Sequence, residues 1–112
     1  MDIGKVGIWF FLDAMPAADT AEFAKLVEKL GYKALWIPEA VGREPFAHAA
    51  YLLSHTDRLA IATGIANIWA RDAVTMAAAS KTVAELSGGR FVLGIGVSHK
   101  PLVTTLRGHN YE

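Results

Sequence analysis

Residues 59–99 read LAIATGIANIWARDAVTMAAASKTVAELSGGRFVLGIGVSH, and this stretch decides the fold. It begins with an apolar run, Leu59 to Thr63, which predicts a strand. Asp72 is a good N-cap for the helix that follows, and the Ser-Gly-Gly turn at 87–89 ends it. A second apolar run, Phe91 to Val97, predicts the next strand. The stretch therefore predicts a strand–helix–strand unit with two parallel strands.

Two more strand–helix pairs precede this stretch. Lys5 to Leu12 and Ala34 to Ile37 are apolar runs that predict strands, and the first is expected to be covered on both faces. The predicted strands begin near residues 5, 34, 59 and 91, at intervals of 29, 25 and 32 residues. This spacing is typical of the βα repeats of a parallel sheet.

The helices between these strands each carry one apolar face. The first is predicted to begin at a capping box of Asp19 and Glu22, with Thr20 as the alternative cap. Pro45 fits the first position of the second helix. By helical spacing, the expected buried faces are Phe23, Leu26, Val27 and Leu30, then Phe46, Ala49, Ala50 and Leu53, then Met76, Ala79, Val83 and Leu86. The charged residues of the first helix, Glu28 among them, are expected to be solvated.

Composition excludes several classes of protein. The chain has 112 residues, of which 53% are hydrophobic and 20% charged, and its formal net charge is zero. That much apolar surface excludes disorder, and the neutral charge argues against nucleic-acid binding. No run approaches the ~18 apolar residues of a membrane span, and no signal-peptide pattern opens the chain. There is no Cys, and the four His lack metal-ligand spacing, so we expect a cytoplasmic protein without a metal site.

Four βα repeats fit two architectures. One is an open, doubly wound sheet, and the other is part of a (β/α)₈ barrel, which typically needs ~250 residues. Length alone favours the open sheet, because 112 residues supply only about half of a barrel. In both architectures functional groups gather beyond the C-terminal ends of the strands.

Polar residues and glycines follow the predicted strands. Glu39 is suited to hold the polar edge of a ligand or to transfer a proton, although a plain surface carboxylate is an equal alternative. His99 is suited to donate to an anion or to transfer a proton near neutral pH. Gly94 and Gly96, with Ser98, either let backbone N–H groups approach a phosphate or leave room for packing inside the sheet.

The end of the third strand is a second candidate ligand site. The residues from Thr63 to Asn67 are small, and Gly64 permits unusual backbone angles of the kind found at ligand clamps. Trp9, Trp36 and Trp69 lie in or just after the first three strands. Core filling is the simpler interpretation of these tryptophans, and lining a pocket for a flat ligand is the alternative.

These motifs resemble the luciferase-like monooxygenase superfamily, especially its coenzyme F420-dependent oxidoreductase branch. The matching pieces are VGIWFF (6–11), AEFAKLVEKLGYKALWIPE (21–39), the stretch 59–99 and the closing RGHNYE (107–112). The resemblance implies an α/β fold in which the chain, as one segment over 1–112, supplies four βα units, the N-terminal half of a TIM (β/α)₈ barrel. It thus favours the barrel over the open sheet.

The resemblance implies hydride transfer between a substrate and C5 of the deazaflavin in coenzyme F420, with FMN as the alternative cofactor. It implies a ring that stacks over the end of the third strand, where a non-prolyl cis peptide would fall at Gly64–Ile65. Glu39 matches the acidic position at the ring's polar edge, and the segment from Val97 to His99 matches the one that holds the phosphate. The implied cofactor-binding residues are Gly64, Ile65, Ala66, Asn67, Gly96, Val97 and Ser98.

Two departures from the family's pattern limit what it implies. Ala40 stands where some dehydrogenases of the family have a His, and His99 stands where some have a proton-donating Glu. A sugar-phosphate dehydrogenase is therefore not supported, and Glu39 and His99 are the predicted catalytic residues. Two other functions remain: a truncated, non-catalytic chain that pairs its open sheet edges with another copy, and a module that binds a flavin-like ligand without turnover. We expect a small-molecule substrate and a homo-oligomer.

Overall fold

The computed structural model describes residues 1–111 and consists of alternating strands and helices. The strands are β1 (Ile8–Trp9), β2 (Ala34–Ile37), β3 (Ala60–Thr63), β4 (Ala66–Asn67), β5 (Phe91–Val92) and β6 (Ile95–Gly96). The helices are α1 (Ala17–Lys29), α2 (Pro45–Ser54) and α3 (Ala73–Leu86), and a short π-helix spans Leu102–Leu106. No helix within this part of the chain is long and apolar enough to cross a membrane.

The order of the strands distinguishes the two candidate architectures. The main sheet runs β1-β2-β3-β5, with every pair parallel. Each strand lies beside the one from the preceding βα unit, as in a barrel, whereas a doubly wound sheet reverses its order partway. The open sheet that length alone favoured is therefore wrong, and the four βα units have the arrangement of a half barrel.

The fourth predicted strand, Phe91 to Val97, is divided into two. β5 pairs with β3, whereas β6 pairs with β4 in a separate two-stranded sheet. At the step between them, the Thr63 hydroxyl donates to the Gly94 carbonyl (2.7 Å) and accepts from the Gly94 N–H (2.9 Å). A Cβ atom on Gly94 would lie 2.2 Å from the Thr63 carbonyl oxygen. Close packing thus accounts for Gly94.

The first strand is shorter and more exposed than predicted. Of the run from Lys5 to Leu12, only β1 pairs, and it pairs with β2 alone among the described strands. Leu12 is buried, but Val6 is 68% and Trp9 58% exposed. The prediction of a strand covered on both faces is wrong within residues 1–111, because the side chains of Val6 and Trp9 are left largely uncovered there.

Two of the three predicted helix starts are confirmed. The Asp72 carboxylate caps α3, and α2 begins at Pro45. The predicted capping box at Asp19 is wrong, since α1 begins at Ala17 and no side chain caps it. Pro16 precedes α1, and its ring fixes a φ close to the helical value, so the chain enters the helix before Asp19.

The buried face of α1 also differs from the predicted stripe. Leu26 and Leu30 are 49% and 65% exposed, whereas small side chains such as Ala21 and Ala24 are buried. Small residues let α1 lie close to β2 and α2, which turns the leucines outward. Leu86 of α3 is likewise exposed, contrary to its predicted place in the core. The core itself is formed by the sheet, α2 and α3, and includes the residues Leu35, Ile37, Leu52 and Ile61.

A carboxylate of α1 holds the segment before β3. Glu28 accepts hydrogen bonds from the N–H groups of Asp57, Arg58 and Leu59, at 2.6 to 3.2 Å. Burial raises the pKa of Glu28, but these three N–H bonds outweigh burial, and the pKa is lowered overall. The charged face of α1 was expected to be solvated; Glu22, Lys25 and Lys29 are exposed as expected, whereas Glu28 is partly buried against these N–H groups.

Arg90 closes the same end of the sheet. Its guanidinium makes five hydrogen bonds of 2.9 to 3.1 Å: to the carbonyls of Leu53, Thr56, Leu59 and Ser87 and to the Thr56 hydroxyl. These acceptors belong to the end of α2, the start of β3 and the end of α3. We call the region around Glu28 and Arg90 the N-terminal edge, because it lies where the strands begin.

Candidate active site

A cleft of about 250 Å³ lies at the opposite, C-terminal ends of the strands. It is lined by the predicted residues Glu39, Gly64, Ile65, Ser98 and His99, together with Trp9, Pro38, Ala40 and Leu102. Parallel strands end at one face of a barrel, which is why residues so distant in sequence meet here. The cleft thus combines both predicted catalytic residues with three of the predicted cofactor-binding residues.

The wall of the cleft after β3 is held by its neighbours. The Gly64–Ile65 peptide is cis, as the resemblance implied. The Gly64 carbonyl accepts from the Trp9 indole N–H (2.9 Å), and the Ile65 carbonyl accepts from the Glu39 N–H (3.2 Å). Trp9 is therefore not a core residue in this structure but part of the cleft, as in the alternative interpretation.

Glu39 is held in a buried ion pair with Arg71. The Glu39 Oε2 atom lies 2.5 Å from Arg71 Nη2, and Oε1 lies 3.0 Å from Nη1. Oε1 also accepts from the backbone N–H of Asn67 (2.7 Å). The side chain of Glu39 is only 5% exposed and that of Arg71 only 11%. Both oxygens are thus engaged, so proton transfer by Glu39 would require this pair to open.

Arg71 is a residue of the candidate site that the sequence alone did not assign. Besides pairing with Glu39, it donates to the Asn67 carbonyl (3.2 Å) and lies 3.5 Å from Glu44. Its guanidinium carbon sits 5.0 Å from the centre of the Phe46 ring, in a cation–π contact. A Glu after one strand and an Arg after the next are a sequence signal for such a pair, since neighbouring strand ends lie side by side.

Three of the other predicted cofactor-binding residues lie behind the cleft. Ala66 and Asn67 are buried in β4. The Asn67 side-chain oxygen accepts from the backbone N–H of Trp69 (2.8 Å). Gly96 pairs with Asn67, and a Cβ atom on Gly96 would lie 2.7 Å from Cγ1 of Ile65. Packing against Ile65 therefore accounts for Gly96, and its role near a phosphate stays a prediction.

The segment after β6 is fixed by two aromatic side chains. The Trp69 indole N–H donates to the Val97 carbonyl (2.8 Å), and the Tyr111 hydroxyl donates to the Ser98 carbonyl (3.2 Å). The two rings stack with their centres 5.6 Å apart. Ser98 has a positive φ of 58°. Within residues 1–111 the backbone N–H groups of Ser98 and His99 donate to no protein acceptor, so they are available to a ligand.

His99 differs from the buried His48. Its ring lines the cleft and has no hydrogen-bond partner among residues 1–111, while its carbonyl accepts from the N–H groups that begin the π-helix. His48 is buried on α2 with Nε2 3.0 Å from the Thr20 hydroxyl oxygen. Burial, with the nearby charge of Arg43, lowers the pKa of His48 to about 4. His48 is therefore structural, whereas His99 lies at the cleft, and its catalytic role stays a prediction.

No group of three His, Asp or Glu side chains within residues 1–111 is placed to hold a metal ion. The ligand groups that the cleft offers are instead an imidazole, two backbone N–H groups and an apolar wall. This set suits a flat organic molecule that carries an anionic group.

Known proteins are similar to this chain in sequence and in fold. The luciferase-like monooxygenase profile matches residues 5–112. The chain is 31% identical over 107 residues to a Mycobacterium tuberculosis protein that is provisionally named a coenzyme F420-dependent oxidoreductase. That match covers 96% of this chain but 30% of the relative, so the chain spans about a third of the relative's length.

Solved structures show the same fold. The coenzyme F420-dependent tetrahydromethanopterin reductase of Methanopyrus kandleri superposes with a TM-score of 0.82 at 22% identity, over 93% of this chain and 30% of that one. A type II Baeyer–Villiger monooxygenase of Pseudomonas putida, in complex with FMN, gives 0.77 at 14% identity, over 93% and 33%. With a family profile that covers nearly its whole length, the chain belongs to the luciferase-like monooxygenase family.

Proposed function

We propose that this chain is the N-terminal part of an oxidoreductase that transfers a hydride between coenzyme F420 and an organic substrate. The observation that carries the proposal is the cleft in which Glu39, Gly64–Ile65, Ser98 and His99 meet. The similarity to a protein named as F420-dependent supports the choice of cofactor.

The residues of the cleft fit a deazaflavin or a flavin. Gly64–Ile65 and Trp9 form a wall against which a flat ring can lie, and the N–H groups of Ser98 and His99 suit a phosphate. The cleft's 250 Å³ is just below the range of ~300–1,000 Å³ that is usual for ligand pockets. We infer that these residues make one side of a larger site.

When bound, F420 would accept or donate the hydride at C5 of its ring. In the proposed reaction His99 holds or donates the proton that accompanies the hydride, since its ring nitrogens are free within the described chain. Glu39 would contact the polar edge of the ring, and Arg71 would fix its orientation. Ala66, Asn67, Gly96 and Val97 would support this site from behind.

FMN is the alternative cofactor, and monooxygenation is the reaction it would serve. The structural neighbour from Pseudomonas putida is a monooxygenase in complex with FMN, which supports this alternative. The phosphate-binding groups do not separate the two cofactors, because both carry a phosphate. The choice therefore depends on a direct binding measurement.

Fluorescence titration of the chain with F420 and with FMN tests the proposal. We expect saturable binding of F420, with weaker binding of FMN. The variant Arg58→Gln, at the N-terminal edge, is the control and is expected to bind as the parent does. Saturable binding of FMN alone would favour the monooxygenase, and binding of neither cofactor would contradict both.

Turnover tests the catalytic roles. We expect the isolated chain to show little or no turnover, because it spans about a third of its relative's length and we infer that its cleft is one side of a larger site. In a full-length protein that contains this chain, His99→Ala is expected to lower turnover without abolishing cofactor binding. Unchanged turnover in that variant would remove His99 as the proton donor.

A non-catalytic, self-associating chain is the second candidate, and we propose a homo-oligomer in either case. The two open edges of the half barrel expose large apolar side chains: Trp9, Phe10 and Phe11 at β1, and Ile95 and Val97 at β6. Exposed sheet edges and apolar patches favour association with another chain. Light scattering that shows a stable, folded monomer would count against self-association. The cytoplasmic location predicted from composition remains a proposal.

A further inference from the structure

A second cavity, of about 300 Å³, adjoins the cleft and shares Glu39 and Ala40 with it. We call it the arginine pocket, because Arg43, Arg71 and Arg107 line it. The reaction proposed above gives roles to Glu39 and Arg71 but none to Arg43 or Arg107. Its chemistry depends on which of the three guanidinium groups still has donors to offer.

Two of the three guanidinium groups already have acceptors. Arg71 is paired with Glu39 through two hydrogen bonds. Arg43 donates from Nη1 to the Leu12 carbonyl (3.0 Å) and from Nη2 to the Met15 carbonyl (2.8 Å). In both side chains, each terminal nitrogen already donates to an acceptor of the chain.

The carboxylates of the pocket are also engaged. Glu39 is neutralised by Arg71. Glu44 caps α2, where its two oxygens accept from the N–H groups of Phe46 (3.1 Å) and Ala47 (2.8 Å), and it lies 3.5 Å from Arg71. With three guanidinium groups against two carboxylates, the lining carries a net charge of +1.

Arg107 is the exception. Its side chain is half-buried and makes one hydrogen bond within residues 1–111, from Nη2 to the Ala40 carbonyl at 3.4 Å. That distance exceeds the usual range for N–H···O bonds, so this contact is weak. No carboxylate of the described chain forms an ion pair with it. A guanidinium with unused donors in a cavity is suited to bind a carboxylate or phosphate through two parallel bonds.

We propose that the arginine pocket binds an anionic group, a carboxylate or a phosphate, of the substrate, and that Arg107 holds it. The assignment to the substrate rests on the proposed function, because the cleft next to the pocket is where the reacting part would lie. The cofactor has a phosphate of its own, but the free N–H groups of Ser98 and His99 are the better site for it. The substrate class is therefore an anionic organic molecule.

Titration of the chain with inorganic phosphate, and separately with succinate, at constant ionic strength tests the pocket. The probe is the NMR signal of each arginine Nε–H group, which identifies the side chain that binds. We expect a saturable shift at Arg107, roughly tenfold weaker binding in Arg107→Gln, and unchanged binding in Arg58→Gln, which removes the same charge at the N-terminal edge. The signals of the parent chain locate the site even if Arg107→Gln fails to fold.

If Arg107 shows no saturable shift, or if Arg107→Gln binds phosphate as well as the parent does, the proposal that this pocket binds an anion is wrong. A repeat in the presence of saturating FMN, or of riboflavin, which lacks the phosphate, separates the two sources of the anion. Displacement of phosphate by FMN but not by riboflavin would overturn the assignment to the substrate. If the chain binds phosphate at Arg107 but binds neither F420 nor FMN, the anion site is supported and the proposed function is contradicted. Failure of the anion site can thus be told apart from failure of the proposed function.

Discussion

The two ends of the parallel strands differ in how far their polar groups are paired within the described chain. At the N-terminal edge, Arg90 makes five hydrogen bonds, and Glu28 accepts from three backbone N–H groups, all within the chain. At the C-terminal end, Ser98, His99 and Arg107 keep donors that find no partner, or one weak partner, within residues 1–111. Charged groups that are fully satisfied stabilise a fold, whereas groups held in place without partners are suited to a ligand.

The ion pair of Glu39 and Arg71 is the exception at the C-terminal end, and breaking it should have the largest effect. Arg71→Met leaves the Glu39 charge buried without its partner, which is expected to lower the free energy of unfolding by about 3–5 kcal/mol. Urea denaturation measures this loss. The double variant Glu39→Gln with Arg71→Met is expected to recover part of it. A single variant within about 1 kcal/mol of the parent would show that the pair contributes little.

Removal of Arg90 tests the opposite end. Arg90→Met leaves several carbonyls without donors, and we expect it to cost about 2–4 kcal/mol of unfolding free energy. The folded fraction should still bind cofactor and phosphate as the parent does, since Arg90 lies away from the cleft. The control Arg58→Gln is expected to stay within about 0.5 kcal/mol. Weaker ligand binding by folded Arg90→Met would break the distinction between the two ends.

Replacing Gly96, at the wall of the cleft, is expected to have a smaller effect on stability. In Gly96→Ala the new methyl group would overlap the side chain of Ile65, so a loss of about 1–3 kcal/mol is expected. Thermal unfolding measures it. Ile65→Ala removes the overlapping atoms. In the Ile65→Ala background, Gly96→Ala is therefore expected to cost less stability than it does in the parent. Equal losses in both backgrounds would point to the backbone rather than to Ile65.

The last predicted effect depends on pH and vanishes near neutral pH. Because the pKa of His48 is lowered from 6.5 to about 4, the unfolded chain binds a proton between these values and the native chain does not. The free energy of unfolding should therefore fall as the pH falls from 6.5 towards 4, by at most about 3 kcal/mol from this residue. Urea denaturation across this range measures it. In His48→Gln this part of the pH dependence is expected to disappear, and an unchanged profile would contradict the assignment.

Local patterns predicted the repeating elements and the place of the site. The bounds of β2 match the apolar run that Pro38 ends, and the residues after β2, β3 and β6 meet in one cleft because parallel strands end together. The same patterns did not predict which apolar faces stay exposed, as at Leu26 and Trp9. Periodicity shows that a face is apolar, but burial depends on what packs against it.

Local sequence patterns also did not predict which side chains of the candidate site contact each other. Glu39 and Arg71 are 32 residues apart, and Arg107 lies 67 residues from the Ala40 carbonyl that it contacts. No spacing rule links residues at such separations, so these contacts follow only once the strand ends are placed. The division of the last strand at Gly94 has the same origin, because it depends on the approach of Thr63 from β3.

The reach of Arg90 has a consequence for the order in which the chain matures on the ribosome. Its acceptors on Leu53, Thr56 and Leu59 lie 31 to 37 residues upstream. Until residue 90 has left the exit tunnel, the turn between the second helix and third strand carries carbonyl groups that lack this donor. The third βα unit therefore acquires its final hydrogen bonds only when the fourth unit emerges. Nascent chains that end before residue 90 should remain open to proteases at this turn.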